Sequence, residues 1–292
     1  MPTVLGDNRY GKSENRVVRI TTDGPVHHIK DVNVSVALSG DMADTHLTGG
    51  NSKVLPTDTM KNTCFAFAQR HGVGEIEDYA RLLARHFVDS QEPVHQARVA
   101  VEEYFWARIE GDGPHRHSFL RSGREVRTCV VHHDGTETWV VSGLKDLTVL
   151  NSTGSEFWGF VEDEYTTLQE SHDRILATEV NAQWRHTTGS DATDWEKSYD
   201  RARAALLVAF RETHSLSLQQ TLHAMGSRVL ADCPEICEVQ LKLPNKHHFV
   251  VDLSPFGLAN DNETFIAADR PYGLIEGTVA RDTAPSSGPA WT

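Results

Sequence analysis

Apolar residues spaced two positions apart predict the strands in the first half of the chain. Residues 31–38 show this spacing most clearly, because Val32, Val34, Val36 and Leu38 alternate with polar residues, as expected of a strand with one buried face. The predicted strands of this half are residues 16–22, 31–38, 96–109 and 125–132. Apolar residues that recur every three or four positions predict two helices, at residues 61–69 and 76–88. The predicted order is therefore strand, strand, helix, helix, strand, strand.

The second half repeats this order of elements. Its predicted strands are residues 138–149, 175–184, 235–243 and 247–253, and its predicted helices are residues 195–212 and 218–230. We therefore predict an α+β protein of two tandem ββααββ repeats, each an antiparallel sheet with helices on one side. The predicted domains are residues 1–135 for the first repeat and 136–280 for the second. Residues 281–292, rich in Pro, Ser and Gly, are predicted to form a loose C-terminal tail.

The faces of the predicted sheets that point away from the helices are polar. They carry Asn33, Ser35, Glu179, Asn181 and Gln183. Polar faces and unpaired edges leave such a sheet prone to association unless the edges are closed. A barrel built from the sheets of several subunits would close the edges and tolerate a polar lining. We therefore predict an obligate oligomer whose subunits form a β-barrel with the helices outside.

Composition and charge narrow the range of partners. The 292 residues carry a formal net charge of -13, which disfavours binding to the phosphate backbone of nucleic acids. No apolar run approaches the ~20 residues that a membrane-spanning helix needs. The N-terminal residues lack the apolar stretch of a signal peptide, and the last three residues do not form a peroxisomal signal. We therefore expect a cytoplasmic protein that acts on a small molecule.

Cysteine and histidine spacing gives no support for a metal site. The four cysteines, Cys64, Cys129, Cys233 and Cys237, are too few and too irregularly spaced for a disulfide framework or a CxxC motif, so free thiols are predicted. The histidines are numerous, and they include a His115-Arg116-His117 triplet and three adjacent pairs, but no HExxH motif appears. Adjacent residues of a strand point to opposite faces, so each pair could supply only one ligand. We predict no metal.

An aromatic segment followed by an arginine is the first candidate for a binding site. Phe157, Trp158 and Phe160 surround a glycine, and Arg174 stands at the start of a predicted strand. An aromatic ring and a guanidinium together suit a flat, anionic heterocycle, because the ring stacks on its face while the guanidinium binds its edge. The alternative is that these aromatic residues only pack in the core or an interface, and for Trp158 and Phe160 we expect only packing that holds Phe157 in place.

Three further segments carry candidate chemistry, each with an ordinary structural alternative. Lys12 follows a glycine ahead of the first strand, although lysines usually lie on the surface. Asp58 is a predicted N-cap, which places Thr57 at the positive end of a helix, and capping by itself explains both residue types. Ser217 with Gln220 fits a capping box, which places Gln219 in the first turn of its helix.

Five separated motifs resemble the urate oxidase (uricase) family. They are RYGK, TDTMKNT, SEFWGFVEDEYTTL with DRIL, SLSLQQT and LPNKHHF, and the resemblance extends over residues 9–281. It implies a tunnelling fold (T-fold) in which dimers close a barrel and two dimers form a homotetramer. It also implies oxidation of urate by O2 and water to 5-hydroxyisourate and H2O2 in purine degradation, without metal or organic cofactor.

The resemblance also assigns roles to particular residues. It implies that urate stacks on Phe157, and that Arg174 and Gln219 clamp one edge of the ring. It places Leu218 where the family often has valine, contributing its backbone N–H, and it places Asn245 above the ring, where oxygen or water is held. The implied proton relay consists of Lys12, Thr57 and His247.

The resemblance further implies that the active sites lie at subunit interfaces. Lys12, Thr57 and Asp58 would come from one subunit, and the remaining site residues from its neighbour. His247 and His248 are adjacent in a predicted strand, so we expect only one of them to face the site, and the match to LPNKHHF selects His247.

Two other functions fit parts of this pattern. One is a T-fold enzyme that acts on a pterin or guanine-like ring, although those enzymes typically anchor the guanidine-like edge with a glutamate and often use zinc. The other is a purine-binding protein without catalysis, which would need Phe157 and Arg174 but not the relay of Lys12, Thr57 and His247.

Overall fold

The computed structural model describes residues 1–111, 116–187, 189 and 192–292, so His115 of the histidine triplet lies outside the described residues. Two compact units divide the chain. Unit 1 consists of Met1–Gly143, Arg185–Ser198 and Pro285–Thr292, and unit 2 consists of Leu144–Trp184 and Tyr199–Ala284. The division into repeats at residues 1–135 and 136–280 stays a prediction. None of the helices within the described ranges has the length and apolar character that crossing a membrane requires.

Unit 1 is built on a sheet with the strand order β1-β2-β3-β6-β7. These strands are β1 (Tyr10–Asp23), β2 (Val26–Gly40), β3 (Val94–Glu103), β6 (Val126–His133) and β7 (Thr138–Asn151), which ends in unit 2. A separate hairpin pairs β4 (Trp106–Arg108) with β5 (Phe119–Arg121). The helices are α1 (Ala43–Leu47), α2 (Thr57–His71) and α3 (Ile76–Asp89). The pairs β1 with β2, β2 with β3 and β3 with β6 are antiparallel.

The core of unit 1 confirms the alternation predicted for β2. Its apolar positions, Val32, Val34, Val36 and Leu38, are each at most 2% exposed and belong to a cluster that includes the buried residues of α2 and α3. Burying one such side chain contributes about 1.5–3 kcal/mol to folding. Apolar contacts between helices and sheet therefore hold unit 1 together.

Two strand predictions in unit 1 need correction. The predicted strand at residues 96–109 is interrupted after Glu103, because Tyr104 donates its backbone N–H to the carbonyl of Asp31 at 2.9 Å and Trp106 donates its indole N–H to the Asp31 carboxylate at 2.8 Å. The predicted first strand at residues 16–22 begins six residues earlier, at Tyr10. A register shift between Lys12 and Asn15 breaks the alternation there, which hides the strand from a period-two pattern.

The sheet of unit 2 has the strand order β7-β8-β9-β10. Its elements are β8 (Leu176–His186), α4 (Trp195–Glu212), α5 (Leu218–Asp232), β9 (Ile236–Val250), a 3-10 turn (Ser254–Phe256) and β10 (Phe265–Ala280). Of these, β8 ends in unit 1 and α4 begins there. Helix α4 has the predicted bounds, and α5 begins at the predicted residue.

The last two predicted strands of unit 2 are a single strand. Residues 235–243 and 247–253 are two strands in the prediction, but β9 continues through Pro244 between them and pairs antiparallel with β10. The pattern missed β10, in which small residues replace alternating large ones. A Cβ on Gly277 would lie 2.9 Å from Leu222 of α5, so the glycine lets the helix pack closely on this strand.

The C-terminal residues are packed rather than loose, contrary to the prediction. Arg185 donates to the carbonyl of Pro285 at 2.8 Å. Ala290 is 3% exposed and forms an apolar cluster with Val130 and Val141. Residues 285–292 therefore belong to the packed structure of unit 1.

The four cysteines are free, as predicted, and all four are buried. Burial raises the pKa of Cys64 to about 12 and the pKa of Cys233 to about 11. It also raises the pKa of Cys129 well above its ordinary value. These three side chains remain protonated thiols at neutral pH.

Candidate active site

A cleft of about 900 Å³ lies entirely within unit 2. Four segments line it: the loop of residues 152–175, the start of α5, the end of β9, and β10 with the turn before it. The cleft brings together six of the residues that the resemblance assigns to the site, namely Phe157, Arg174, Leu218, Gln219, Asn245 and His247. We call residues 152–175 the aromatic loop.

The aromatic loop places a guanidinium close to an aromatic ring. Phe157 stacks on Phe160, with ring centroids 5.1 Å apart and planes 15° apart. The guanidinium carbon of Arg174 lies 5.1 Å from the centroid of Phe157. Phe157 exchanges two backbone hydrogen bonds with Ser171, of 2.8 and 2.9 Å. The ring of Phe157 is therefore fixed from behind by Phe160 and along the backbone by Ser171.

Trp158 does not have the supporting role predicted for it. Its side chain is half exposed, and its indole N–H donates to Glu156 at 2.7 Å. Its ring lies near His172 rather than against Phe157. Of the two aromatic residues predicted to hold Phe157, only Phe160 packs on it.

Arg174 is a cation without a carboxylate partner among the residues that the structure describes. Partial burial lowers its pKa, and no acidic group opposes that effect. Its Nε is buried without a hydrogen-bond partner, while its backbone N–H donates to the carbonyl of Ser155 at 2.8 Å. Buried donors nearly always have acceptors in folded proteins. Arg174 therefore requires an acceptor that the described part of the chain does not provide.

The start of α5 adds further donors to the cleft. The Ser217 hydroxyl accepts the backbone N–H of Gln220 at 3.1 Å, and the side chain of Gln220 accepts the backbone N–H of Leu216 at 2.8 Å. This arrangement confirms Ser217 as the cap and forms a capping box in which Gln220 reaches the residue before the N-cap rather than the N-cap itself. The backbone N–H groups of Leu218 and Gln219 have no intrahelical acceptor, and no acidic residue occupies the first turn. The positive end of α5 is thus suited to an anion.

The end of β9 supplies an amide and two imidazoles. Asn245 pairs with Gly273 of β10, and the ring of His247 stacks on Phe249 at 5.8 Å. Burial lowers the pKa of His247, and electrostatic interactions with Arg174 and with His248 lower it further. His247 is therefore neutral at neutral pH and able to accept a proton.

His248 borders the cleft as well as His247, and the prediction that only one of their two side chains faces it stays a prediction. The register between β9 and β10 shifts between Ala268 and Gly273, next to these residues. Such an irregularity disturbs the regular alternation of side chains along a strand, on which the prediction depended.

Lys12 lies in unit 1, at the register shift of β1. Glu14 adopts a left-handed φ of 57° and donates its N–H to the Ser35 hydroxyl at 2.9 Å. A Cβ on Gly11 would lie 1.8 Å from the backbone oxygen of Val36. Only glycine allows this approach of β1 to β2, so Gly11 and the bulge together determine where Lys12 is placed.

Thr57 and Asp58 are the first two residues of α2, also in unit 1. The prediction that Asp58 is the N-cap was wrong, because the N-cap is Pro56, which provides no side-chain cap. Asp58 instead binds Lys61 and accepts from Asn62 at 3.0 Å. The hydrogen bond from Lys61 lowers the pKa of Asp58, and the charge of Lys12 contributes to the same shift. Lys12, Thr57 and Asp58 are not among the residues that line the cleft of unit 2.

Sequence reasoning missed the residues that tie the cleft segments together. The carboxylate of Asp173 accepts from the Thr153 hydroxyl at 2.8 Å and from the Gly154 N–H at 3.1 Å, which anchors the residue before Arg174. Glu156 binds His214 at 2.6 Å. The acidic character of the aromatic loop was visible in the sequence, but the partners were not. No cluster of three or more potential metal ligands occurs among the described residues, and the metal-free expectation stays a prediction.

Comparisons with known proteins agree on one family. A family model described as Uricase matches residues 8–132 and 140–276. A uricase from Arthrobacter globiformis is 49% identical over 289 residues, covering 99% of this chain and 94% of that protein. A uricase from Oryctolagus cuniculus is 38% identical and covers 93% of both chains.

Solved structures give the same result. The crystal structure of the Arthrobacter globiformis uricase superimposes with a TM-score of 0.94 at 48% identity, covering 100% of this chain and 99% of that one. A urate oxidase from Bacillus sp. TB-90 superimposes with a TM-score of 0.79 at 23% identity, covering 94% and 100% of the two chains, and shows the shared fold.

Proposed function

The chain belongs to the uricase family and is a urate oxidase, and from this premise we propose that the cleft of unit 2 is the urate-binding part of its active site. The observation that carries the proposal is the pairing of Arg174 with Phe157. Inside the cleft, a guanidinium lies 5.1 Å from the centroid of an aromatic ring, and its buried Nε has no partner among the residues that the structure describes. This combination suits a flat anion such as urate.

Urate is bound in this proposal by stacking and by hydrogen bonds to one edge. Its ring stacks on Phe157, while Arg174 and the Gln219 side chain bind its oxygen and nitrogen atoms. The free N–H of Leu218 donates to the same edge, and the positive end of α5 favours the anionic form. A leucine in place of valine at position 218 leaves that backbone contact unchanged.

Oxidation transfers two electrons from urate to O2. Together with one water, this gives 5-hydroxyisourate and H2O2, and no metal or organic cofactor is required because deprotonated urate is itself the electron donor. Asn245 holds O2 or the attacking water above the ring. His247, neutral because its pKa is lowered, joins Thr57 and Lys12 in moving the protons.

Completion of the site requires a second copy of the chain. Lys12, Thr57 and Asp58 come from the neighbouring subunit in this proposal, and the cleft residues come from unit 2. Two tandem ββααββ repeats per chain, an inter-subunit T-fold barrel and a homotetramer formed as a dimer of dimers would bring these groups together. A monomer would bind urate weakly and would not turn it over. We propose that the enzyme acts in cytoplasmic purine degradation.

One assay tests the proposed chemistry. Urate is added to the purified protein after treatment with a chelator, and loss of urate absorbance is followed together with peroxide. Equal amounts of urate lost and peroxide formed are expected, and neither change would occur in a pure purine-binding protein. Activity that depends on added zinc, or that requires a pterin, would support the other T-fold enzymes.

The placement of urate is tested with Phe157→Ala. Loss of the stacking surface should raise the KM for urate by about tenfold or more. The matched control is Phe65→Ala, which removes an exposed phenylalanine of α2 in unit 1. An unchanged KM in Phe157→Ala would assign that ring to packing only.

A further inference from the structure

Glu156 stands next to Phe157 but plays no part in the proposed chemistry. Its side chain is 19% exposed, and its two carboxylate oxygens contact three side chains. One oxygen accepts from His214 Nε2 at 2.6 Å. The other accepts from Trp158 Nε1 at 2.7 Å and lies 3.7 Å from His172 Nδ1.

Each of these three partners is close in sequence to a residue of the proposed urate site. Trp158 directly follows Phe157, and His172 precedes Arg174 by two residues. The third partner, His214, precedes Gln219 by five residues and stands just before the capping box of α5. One carboxylate therefore connects the backbone segments that carry the stacking ring, the guanidinium and the amide.

The charge of Glu156 is unfavourable for binding an anion in the neighbouring cleft. Hydrogen bonds from His214 and Trp158 lower the pKa of Glu156, so it is negatively charged at neutral pH. A negative charge beside a cleft for an anion weakens binding through repulsion. The carboxylate is better explained by the contacts that it makes than by the charge that it brings.

Backbone hydrogen bonds link the same segments but leave side-chain orientation open. Glu156 donates its N–H to the carbonyl of Ser215 at 2.7 Å, and Ser215 donates its N–H to the carbonyl of Gly154 at 3.0 Å. These bonds hold the aromatic loop beside the start of α5. The side-chain contacts of the Glu156 carboxylate are a second attachment between the aromatic loop and the start of α5. They restrain rotation of the loop about the backbone hydrogen bonds.

We propose that Glu156 is a positioning residue for urate, holding Phe157, Arg174 and Gln219 at the separation that one purine ring requires. This inference rests on the proposed function of the cleft. It assigns Glu156 no contact with urate and no proton transfer. Its effect is on the geometry of binding, and the chemical step remains with other residues.

The test compares Glu156→Ala with Glu156→Gln. Loss of the carboxylate in Glu156→Ala should raise the KM for urate by about three- to tenfold while kcat changes less than about twofold. Gln can still accept from Trp158, so Glu156→Gln should recover part of the loss. If Glu156 only contributes repulsion, both variants would lower KM instead, and that result or an unchanged KM would overturn the proposal.

A double-mutant cycle tests the connection to α5. His214→Ala should raise KM about as much as Glu156→Ala, and the double variant should be no worse than either single variant. Additive effects would overturn the proposal. Glu162→Ala, which removes an exposed carboxylate of the same loop, is the matched control and should leave KM unchanged. Circular dichroism and thermal unfolding of each variant separate a change of site geometry from a failure to fold.

Including Phe157→Ala in the same series separates this proposal from the proposed function. A raised KM in Phe157→Ala with a normal KM in Glu156→Ala would reject only the positioning role. A normal KM in Phe157→Ala would reject the urate site itself.

Discussion

Helices α2 and α5 each carry proposed site residues in their first turn. The two first turns are nevertheless built differently. Helix α5 has a capping box and no acidic residue in its first turn. Helix α2 has no side-chain cap, and Asp58 occupies its first turn. Helix α5 therefore leaves its positive end available to an external anion, whereas α2 places its own carboxylate there.

From this difference we infer that the two helix ends have different roles, one in binding and one in turnover. The end of α5 lies in a cleft with Arg174, whose Nε has no acceptor in the described part of the chain, and is suited to hold urate. The end of α2 lies close enough to Lys12 for the lysine to influence the pKa of Asp58, and it carries Thr57, for which we propose a role in proton transfer. Changes near α2 should therefore affect turnover, and changes near α5 should affect binding.

The largest expected effect is on turnover, from Lys12→Met. Removing the amine from the proposed relay should lower kcat by about 100-fold or more, while urate binding measured without oxygen should stay near normal. Lys197→Met, which removes a lysine that is 82% exposed and pairs with Asp194, is the control. A nearly normal kcat in Lys12→Met would exclude Lys12 from the relay.

A smaller effect is expected on binding, from Gln219→Glu. This change makes the first turn of α5 acidic, like that of α2, and should raise the KM for urate by about tenfold because the new carboxylate repels the anion. The control is Gln220→Glu, which keeps the capping box and adds the same charge at a residue that does not line the cleft. Equal increases in both variants would show that only net charge matters.

The third expected effect is on stability. Ser217→Ala removes the hydroxyl that caps α5 and should lower the free energy of unfolding by about 1 kcal/mol, measured by denaturant titration. Ser52→Ala, which removes an exposed serine ahead of α2, should have almost no effect. A similar loss in both variants would mean that capping does not distinguish the two helix ends.

The smallest expected effect is a shift in pH dependence. The pKa of His247 is lowered by burial, by Arg174 and by His248, so activity that needs neutral His247 persists below pH 6.5 and is lost as pH falls through the lowered pKa. Replacing His248 in His248→Gln removes one of these causes and should move the acid limb of kcat/KM to higher pH by about a few tenths of a unit.

Urate itself titrates in acid and affects the pH profiles of both proteins equally. The test is therefore the difference in the acid limb of kcat/KM between the unmodified protein and His248→Gln. His46→Gln, on α1 in unit 1, should leave the acid limb in place. A downward shift in His248→Gln would contradict the assigned effect of its charge.

Regular patterns predicted the fold where packing is regular. Helices α3 and α4 were predicted to within one residue of their bounds, and the alternating apolar positions of β2 were predicted correctly, although that strand begins five residues before the predicted start. The start of β1 was missed because of its bulge. Strand β10 was missed because it lacks a regular alternation of large apolar residues. At Gly277, for example, the space that a side chain would fill is occupied by Leu222 of α5.

The site was predictable as a set of motifs but not as a geometry. The motifs indicated Phe157 and Arg174, and the structure places both in one cleft. The attachments of Glu156 were not predictable, because His214 is 58 residues away from it. Likewise, whether His247 and His248 share a face depends on the irregular register between β9 and β10.

The buried cysteines have a consequence for the durability of an enzyme that releases peroxide. Hydrogen peroxide attacks thiolates far more readily than thiols, because the thiolate is the nucleophile. Burial keeps Cys64, Cys129 and Cys233 protonated and out of solvent. Oxidation of these three thiols by the proposed product of the enzyme is therefore disfavoured.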